Sequence, residues 1–158
     1  MKRSDLADKH CSIARASAQI VDSWTFIILR ELFLGNRRFA GMQKQTGMSP
    51  RSLTLRLRKL EEEGILSRPA ATGDKDYALT EKGHALWPAL IMLKQWGDDW
   101  CHPDSDEDLP LINMHRGTGH EMRAKLVCEV CGEPVSTHTT KSILSDRFQS
   151  ERGGVDAT

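Results

Sequence analysis

Apolar and polar positions along the first 100 residues follow mostly helical spacing. Two apolar-rich segments meet at Ser23, the predicted N-cap of the second segment, which ends at Gly35. In the first segment Ile13 is predicted to face the core. A short helix is predicted near residues 38–45 and stops at Gly47. This part of the chain is therefore expected to form three helices in succession.

The next segment, TGMSPRSLTLRLRKLEEEG, has a clear helix start and stop. Ser49 is a favourable N-cap, because its side-chain oxygen can accept from a free backbone N–H. Pro50 suits the first helical position, where its missing N–H is not needed, and Gly64 suits the end. These signals predict a helix, although leucine recurs here every two residues, as it would in a strand.

Helical spacing divides these leucines between a core face and an outward face. At about 100° per residue, Leu55 falls on the same side as Arg51 and Arg58. Arg56 lies nearer the core edge, where it can pair with an acid of the chain itself. The predicted core stripe consists of Leu53, Leu57 and Leu60.

Residues 65–68 and 76–79 are short β-compatible segments joined by a polar turn with a glycine, which predicts a β-hairpin. From Thr80 onward the chain is apolar at helical spacing. This spacing predicts one long helix that is capped by Thr80 and kinked at Pro88. A helix this apolar at a domain edge needs a partner. Its apolar face consists of Leu86, Leu90, Leu93, Trp96 and Trp100.

Length and composition limit the possible classes of protein. The 158 residues suit one domain with an appendage. No run of about 18 apolar residues occurs, so no membrane span is expected. The N-terminus lacks the apolar core of a signal peptide, and four cysteines in such a chain indicate thiols or a metal site, not a disulfide framework. The expected location is the cytoplasm.

The formal net charge is zero, but the charges are unevenly distributed. Residues 30–59 contain eight Lys or Arg side chains and one acid, whereas residues 104–158 contain ten acids and six bases. Such asymmetry favours a polyanionic partner for the first part of the chain. The alternative is a basic surface that only contacts solvent.

The order of elements is that of a winged helix-turn-helix. The predicted fold class is mainly α with a small β-hairpin wing, plus a small irregular or β-rich C-terminal extension. A helix fits the major groove of B-DNA, and its N-terminal residues lie nearest the base edges. Cations on that helix meet phosphates and release counterions. DNA would then supply the negative charge that the helix lacks.

The sequence resembles the HxlR-type winged helix-turn-helix regulators of the MarR-like winged-helix superfamily. The motifs that carry the resemblance are ILRELFLGNRRF, SPRSLTLRLRKLEEEGIL and YALTEKGHAL, and it extends over residues 9–102. It implies a homodimeric bacterial transcription regulator without enzymatic activity. It also implies a dimer interface built from the first and last helices, with Leu90, Leu93, Trp96 and Trp100 on the last one.

The candidate DNA-binding residues combine the outward helix face with positions that match the family's motif. Arg51, Thr54, Leu55 and Arg58 are the best candidates for the groove, and phosphate contacts are expected to outnumber base contacts. The full set is Arg37, Arg38, Ser49, Pro50, Arg51, Ser52, Thr54, Leu55, Arg58, Lys59, Arg68 and Lys75.

The predicted domain boundaries are 9–102 for DNA binding and dimerisation, 103–111 for an acidic linker and 112–158 for the extension with a frayed tail. The extension contains Cys128 and Cys131 in a Cys-x-x-Cys-Gly pattern, which lets two thiolates converge on one metal ion. His115 and His120 are candidates to complete a zinc site in a degenerate zinc-ribbon-like module. The alternative is a β-rich tail with free thiols. We see no internal repeat.

Cys11 lies at a predicted helix start near several cations, a setting that favours the reactive thiolate. The resemblance makes it a candidate oxidant or electrophile sensor. The alternative is a small structural residue at a helix end.

These observations predict a sequence-specific DNA-binding transcriptional regulator, a repressor, that acts as a homodimer on a near-palindromic operator. A small-molecule or oxidant effector is compatible with this role, and no signature identifies one. Two other functions are considered: a winged helix that binds proteins, and a thiol-redox protein that uses Cys128 and Cys131.

Overall fold

The computed structural model describes residues 3–20, 22–69, 76–101, 109 and 111–153. The chain divides into two compact units, residues 1–87 with 145–158, and residues 88–144. The boundaries 9–102, 103–111 and 112–158 stay a prediction. The elements are α1 (Arg3–Ala7), α2 (Ser12–Ile20), α3 (Ser23–Phe33), α4 (Phe39–Thr46), α5 (Pro50–Glu62), β1 (Leu66–Ser67), β2 (Ala78–Leu79), α6 (Glu81–His84), α7 (Trp87–Trp100) and α8 (Asp146–Glu151).

The mainly α fold with a small two-stranded sheet is confirmed, but two details of the first helices differ from the sequence prediction. The N-cap of α3 is Asp22, whose carboxylate accepts from the Trp24 N–H at 2.9 Å. Ser23 is therefore the first helical residue and not the cap. On α2, Ala18 is buried while Ile13 is 78% exposed, so the prediction that Ile13 faces the core is wrong.

Helix α5 has the bounds and the orientation that its sequence predicts. Ser49 caps it by accepting from the Ser52 N–H at 3.2 Å, and Pro50 occupies its first position. The predicted leucine stripe is buried and belongs to the core of this unit. That core consists of Ile28, Leu29, Leu32, Met42, Met48, Leu53, Leu57, Leu60, Ile65, Leu66 and Tyr77.

The predicted hairpin is present with shorter strands. β1 and β2 pair antiparallel, with Leu66 opposite Leu79. The segment before α4 extends this pairing. The Tyr77 N–H donates to the Arg37 carbonyl at 2.8 Å, and the backbone of Arg38 forms an isolated antiparallel β-bridge with that of Asp76. The base of the wing is thereby attached to the helix-turn-helix. The tip, residues 70–75, lies outside the described residues.

The segment after the hairpin forms two helices and not one kinked helix, so that prediction is wrong. Thr80 caps the short α6 by accepting from the Gly83 N–H. Pro88 lies in the first turn of α7, where a proline breaks no hydrogen bond. Gly83 is required for close packing, because a Cβ there would lie 2.4 Å from the Ile65 carbonyl oxygen.

An ion pair joins the start of α3 to the middle of α5. The Arg56 guanidinium donates through Nε and Nη2 to the two carboxylate oxygens of Asp22, each at 3.1 Å. Burial acts to raise the pKa of Asp22, but the hydrogen bonds from Arg56 and from the Trp24 N–H, with the Arg56 charge, outweigh it and lower that pKa. The pairing expected for Arg56 is thus present.

In the unit of residues 88–144, the extension is hydrogen-bonded to α7. The Gln95 side chain accepts from the Ala124 N–H at 2.6 Å and donates to the Ala124 carbonyl at 3.0 Å. One amide side chain therefore pairs with both backbone groups of a single residue, as a neighbouring strand would. Arg123 also pairs with Asp99 on α7.

The polar tail, whose last residues are predicted to fray, contains α8, and the N-cap of this helix, Ser145, accepts from the Phe148 N–H. Residues 154–158 lie outside the described part of the chain. Within the ranges that the structure describes, no helix combines the length and the apolar character that crossing a membrane requires.

Replacing Leu57 with alanine is expected to lower the free energy of unfolding by about 2–5 kcal/mol, because its side chain is fully buried and its loss leaves a cavity. Leu55, two residues earlier on the same helix, is 58% exposed, so Leu55→Ala should change stability by about 0.5 kcal/mol or less. Urea unfolding at one fixed protein concentration measures both. Equal losses in the two variants would contradict the assigned helix orientation.

Asp22→Asn keeps a side-chain oxygen that can cap α3 but removes the ion pair with Arg56. Because the side chains are 29% and 27% exposed, a loss of roughly 1–2 kcal/mol is expected at neutral pH. The folded-state pKa of Asp22 is lowered, so the stabilisation is complete above its ordinary value of 3.8 and is lost as the pH falls through the folded-state value. The difference in the free energy of unfolding between wild type and variant should therefore become smaller below about pH 4.

Urea unfolding of both proteins between neutral pH and about pH 3 measures this difference. Asp76→Asn is the matched control, because its partner Arg38 is 81% exposed and that pair should contribute little. A difference that stays constant through the acid range would contradict the role of the ion pair.

Candidate nucleic-acid interface

The turn between α4 and α5 positions the candidate reading helix. Gly47 ends α4 in the left-handed conformation, with φ of 68°, and its N–H donates to the Gln43 carbonyl. Met48 turns inward and is 5% exposed, while Ser49 begins the cap of α5. The N-terminus of α5 is therefore presented at the surface next to a buried anchor.

The outward face of α5 combines cations with one large apolar side chain. Arg51, Leu55 and Arg58 are exposed, and Ser52 and Thr54 are half-buried. The Thr54 hydroxyl donates back to the Pro50 carbonyl at 2.8 Å. Among the residues that the structure describes, none forms an ion pair or hydrogen bond with the guanidinium of Arg51 or Arg58.

Of three other candidate cations, two have partners in the protein and the third is exposed. The Lys59 ammonium donates to the Ala18 carbonyl on α2 at 3.2 Å. Arg38, with its side chain 81% exposed, pairs with Asp76 at 3.3 Å. Arg37 is exposed beside it. The role of all three in binding DNA stays a prediction.

Arg68 sits at the base of the wing in a network that sequence reasoning missed. Its Nε donates to Glu61 at 2.7 Å, its Nη2 donates to the Tyr77 hydroxyl at 2.7 Å, and its guanidinium lies 4.6 Å from the centroid of the Tyr77 ring. These contacts tie the wing to the end of α5. The other wing cation, Lys75, lies outside the described residues.

The candidate zinc ligands form two separate pairs. The His115 and His120 rings stack with centroids 5.5 Å apart, and the Thr118 hydroxyl lies 2.6 Å from His120 Nδ1. Cys128 and Cys131 form the other pair, and both are free thiols. Over the described ranges, no group of three or more His, Cys, Asp and Glu side chains is placed to hold a metal ion. The geometry therefore gives zinc no support.

The two other cysteines lie elsewhere. Cys11 immediately precedes α2 and is half-buried, with its carbonyl accepting from the Arg15 N–H at 3.0 Å. Its role as an oxidant sensor stays a prediction. Cys101 directly follows α7 and is exposed.

Comparison with known proteins agrees with this arrangement. The family model described as HxlR-like helix-turn-helix matches residues 19–105. The chain is 35% identical over 128 residues to the uncharacterized HTH-type transcriptional regulator Rv3095 of Mycobacterium tuberculosis, a match that covers 79% of this chain and 80% of that one. It is 37% identical over 101 residues to the uncharacterized HTH-type transcriptional regulator sll1512 of Synechocystis, covering 61% and 75%.

Two solved structures extend the comparison. PA1607, a candidate transcription factor, matches with a TM-score of 0.78 and 31% identity over 89% of this chain and 99% of its own. The redox regulator HypR in its reduced form matches with a TM-score of 0.50 and 28% identity over 56% of this chain and 92% of its own. The likeness to PA1607 thus reaches into the extension. By sequence and by fold, this chain belongs to the HxlR-like helix-turn-helix family of transcriptional regulators.

Proposed function

We propose that this protein is a sequence-specific DNA-binding transcriptional repressor that acts as a homodimer on a near-palindromic operator. The observation that carries the proposal is the outward face of α5, where Arg51 and Arg58 are exposed and their side chains form no ion pair or hydrogen bond in the described part of the chain. Arg51 lies in the first turn after the Ser49 cap, at the end of a reading helix that lies nearest the base edges, and Arg58 lies about two turns further along the same face.

The composition of this face suits the major groove. Arg51 and Arg58 supply donors for guanine edges or for phosphates, and Leu55 supplies an apolar contact for thymine methyl groups. Arg56 is held by Asp22 inside the protein, so it contributes to the position of α5 and not to the contact. Arg37, Arg38 and Arg68 lie at the flanks, where phosphate contacts position a protein on the duplex without reading sequence.

Selecting bound fragments from the source genome, followed by fluorescence titration of the best fragment at two salt concentrations, tests DNA binding. Affinity should fall steeply as salt rises, because each phosphate contact releases counterions. A winged helix that binds proteins would select no fragment. A thiol-redox enzyme that uses Cys128 and Cys131 would turn over disulfide substrates such as insulin, which a regulator would not.

Arg51→Ala and Arg58→Ala are each expected to weaken binding to the selected operator by about 1–3 kcal/mol, or roughly fivefold to 150-fold. A residue that touches phosphate should also flatten the logarithmic salt slope by about 0.9. Arg147→Ala is the charge-matched control, because that side chain is 72% exposed on α8. Unchanged affinity in both test variants would show that another surface binds DNA.

The homodimer is proposed to form through α2 and α7. Both helices carry large apolar side chains that a single chain leaves exposed: Ile13 at 78%, Leu93 at 44%, Trp96 at 57% and Trp100 at 77%. Exposed apolar groups of this size are typical of interfaces. A two-fold dimer would direct two α5 helices to half-sites about one helical turn apart.

Trp96→Asp is expected to convert the dimer to a monomer, because it places a charge where apolar surface should be buried. Sedimentation velocity at several protein concentrations measures the effect. Val130→Asp is the control, since Val130 is 95% exposed on the extension and is not part of the proposed interface. A wild-type monomer, or equal dissociation in both variants, would contradict the proposed interface.

A further inference from the structure

The extension contains two hairpins built on one backbone pattern. Residues 113–122 form the first hairpin, and residues 126–135 repeat its three backbone hydrogen bonds at matched positions, so that His115 corresponds to Cys128. Both turns end on a glycine with positive φ, 68° at Gly119 and 75° at Gly132. The matched donor–acceptor pairs are Met122–Asn113 with Val135–Leu126, His115–His120 with Cys128–Glu133, and Gly119–His115 with Gly132–Cys128.

The first hairpin shows that this turn forms without cysteine. It carries His115 and Thr118 at the positions where the second hairpin carries Cys128 and Cys131. The backbone hydrogen bonds differ little between the two, with the turn-closing bond at 2.8 Å in each. The two thiols are therefore not required to build the turn, and their presence needs a chemical explanation.

The turn that the Gly132 N–H closes on the Cys128 carbonyl, at 2.8 Å, holds Cys128 and Cys131 three residues apart in one hairpin. Cys128 Sγ accepts from the N–H groups of Cys131 and Val130, and the Cys131 thiol lies within hydrogen-bonding reach of it. These donors stabilise a thiolate and lower the pKa of Cys128. Cys128 is half-buried and Cys131 is exposed, so a small reagent can reach the pair from solvent.

We propose that Cys128 and Cys131 are a reversible dithiol–disulfide pair that reacts with oxidised low-molecular-weight thiols, with Cys128 as the attacking residue. The Cys128 thiolate attacks one sulfur of the small disulfide, whose S–S bond breaks and releases one small thiol. Cys131 then loses its proton and attacks Cys128 Sγ, which releases the second small thiol. Two protein thiols are oxidised and one small disulfide is reduced to two thiols.

The surroundings favour this chemistry over a structural zinc site. Such a site holds zinc with four ligands, of which the second hairpin offers two. Throughout the described residues, no third His, Cys, Asp or Glu joins these thiols in a group that could hold a metal. A disulfide, in contrast, needs only the two sulfurs that the turn already places together. The inference goes beyond the proposed function, because it does not depend on DNA binding.

The test uses the full-length, reduced protein with Cys11→Ser and Cys101→Ser, so that only the pair can react. The protein is treated with oxidised glutathione, quenched in acid and weighed intact by mass spectrometry. The parent should lose two hydrogens and retain no glutathione. Cys131→Thr, which installs the residue that the first hairpin carries at this position, should accumulate a glutathione adduct on Cys128.

Cys128→Ser is the decisive comparison. In this variant only Cys131 can form an adduct, and in Cys131→Thr only Cys128 can. The adduct on Cys131 should form at least severalfold more slowly, because the backbone N–H donors stabilise the thiolate of Cys128 and not that of Cys131. Equal rates in the two variants, or a stable glutathione adduct on the parent, would overturn the proposal. So would one equivalent of zinc that copurifies with the protein and prevents the reaction until a chelator removes it.

Discussion

Burial of three leucines fixes the rotation of α5, and the proposed interface depends on that rotation. Leu53, Leu57 and Leu60 are at most 1% exposed, and exposing one such side chain to water would cost about 1.5–3 kcal/mol. A surface ion pair contributes about 1 kcal/mol or less. The hydrophobic core therefore decides which face of α5 points outward, and the exposed arginines of that face follow from it. Their direction is set before any ligand is present, which is the preorganisation that recognition of a rigid duplex requires.

The arginines of α5 and the wing are of two kinds, those with a carboxylate partner in the described part of the chain and those without one. The amino-acid composition cannot distinguish them. Arg56 and Arg68 have carboxylate partners on neighbouring elements, and these pairs join α5 to α3 and to the base of the wing. Arg51 and Arg58 have none among the described residues. The paired arginines therefore hold the helix in place, while Arg51 and Arg58 leave positive charge on the outward face of α5. An excess of cations in the sequence predicts a polyanionic partner. Only the ion pairs within the fold indicate which cations are left to contact that partner.

Much of the fold could be predicted because its signals are local. The bounds of α5 follow from Ser49, Pro50 and the leucine spacing, all within a few turns of one helix. The sequence predictions are wrong where contacts with residues distant in the chain determine the local structure. Asp22 and Ser23 are both good caps, but Asp22 is also held by Arg56, which is 34 positions away in the chain. Pro88 is compatible with a kink or with a helix start, and the break between α6 and α7 makes it a start. Ile13 has the correct spacing, but the described part of the chain leaves it 78% exposed.

The two hairpins of the extension show that the sequence alone also gives limited information about the chemistry of its cysteines. Across their ten matched positions only the glycine of the turn is identical, so the repeat cannot be seen by comparing residues, and the backbone alone reveals it. The Cys-x-x-Cys spacing on its own predicts any chemistry that two adjacent thiols can perform, zinc binding included. The turn narrows these possibilities. It brings the sulfurs together and places two N–H donors on one of them, but it brings no further ligand. Two thiols cannot complete a tetrahedral site by themselves, whereas reversible disulfide formation needs only two thiols in one turn, one of which is stabilised as a thiolate.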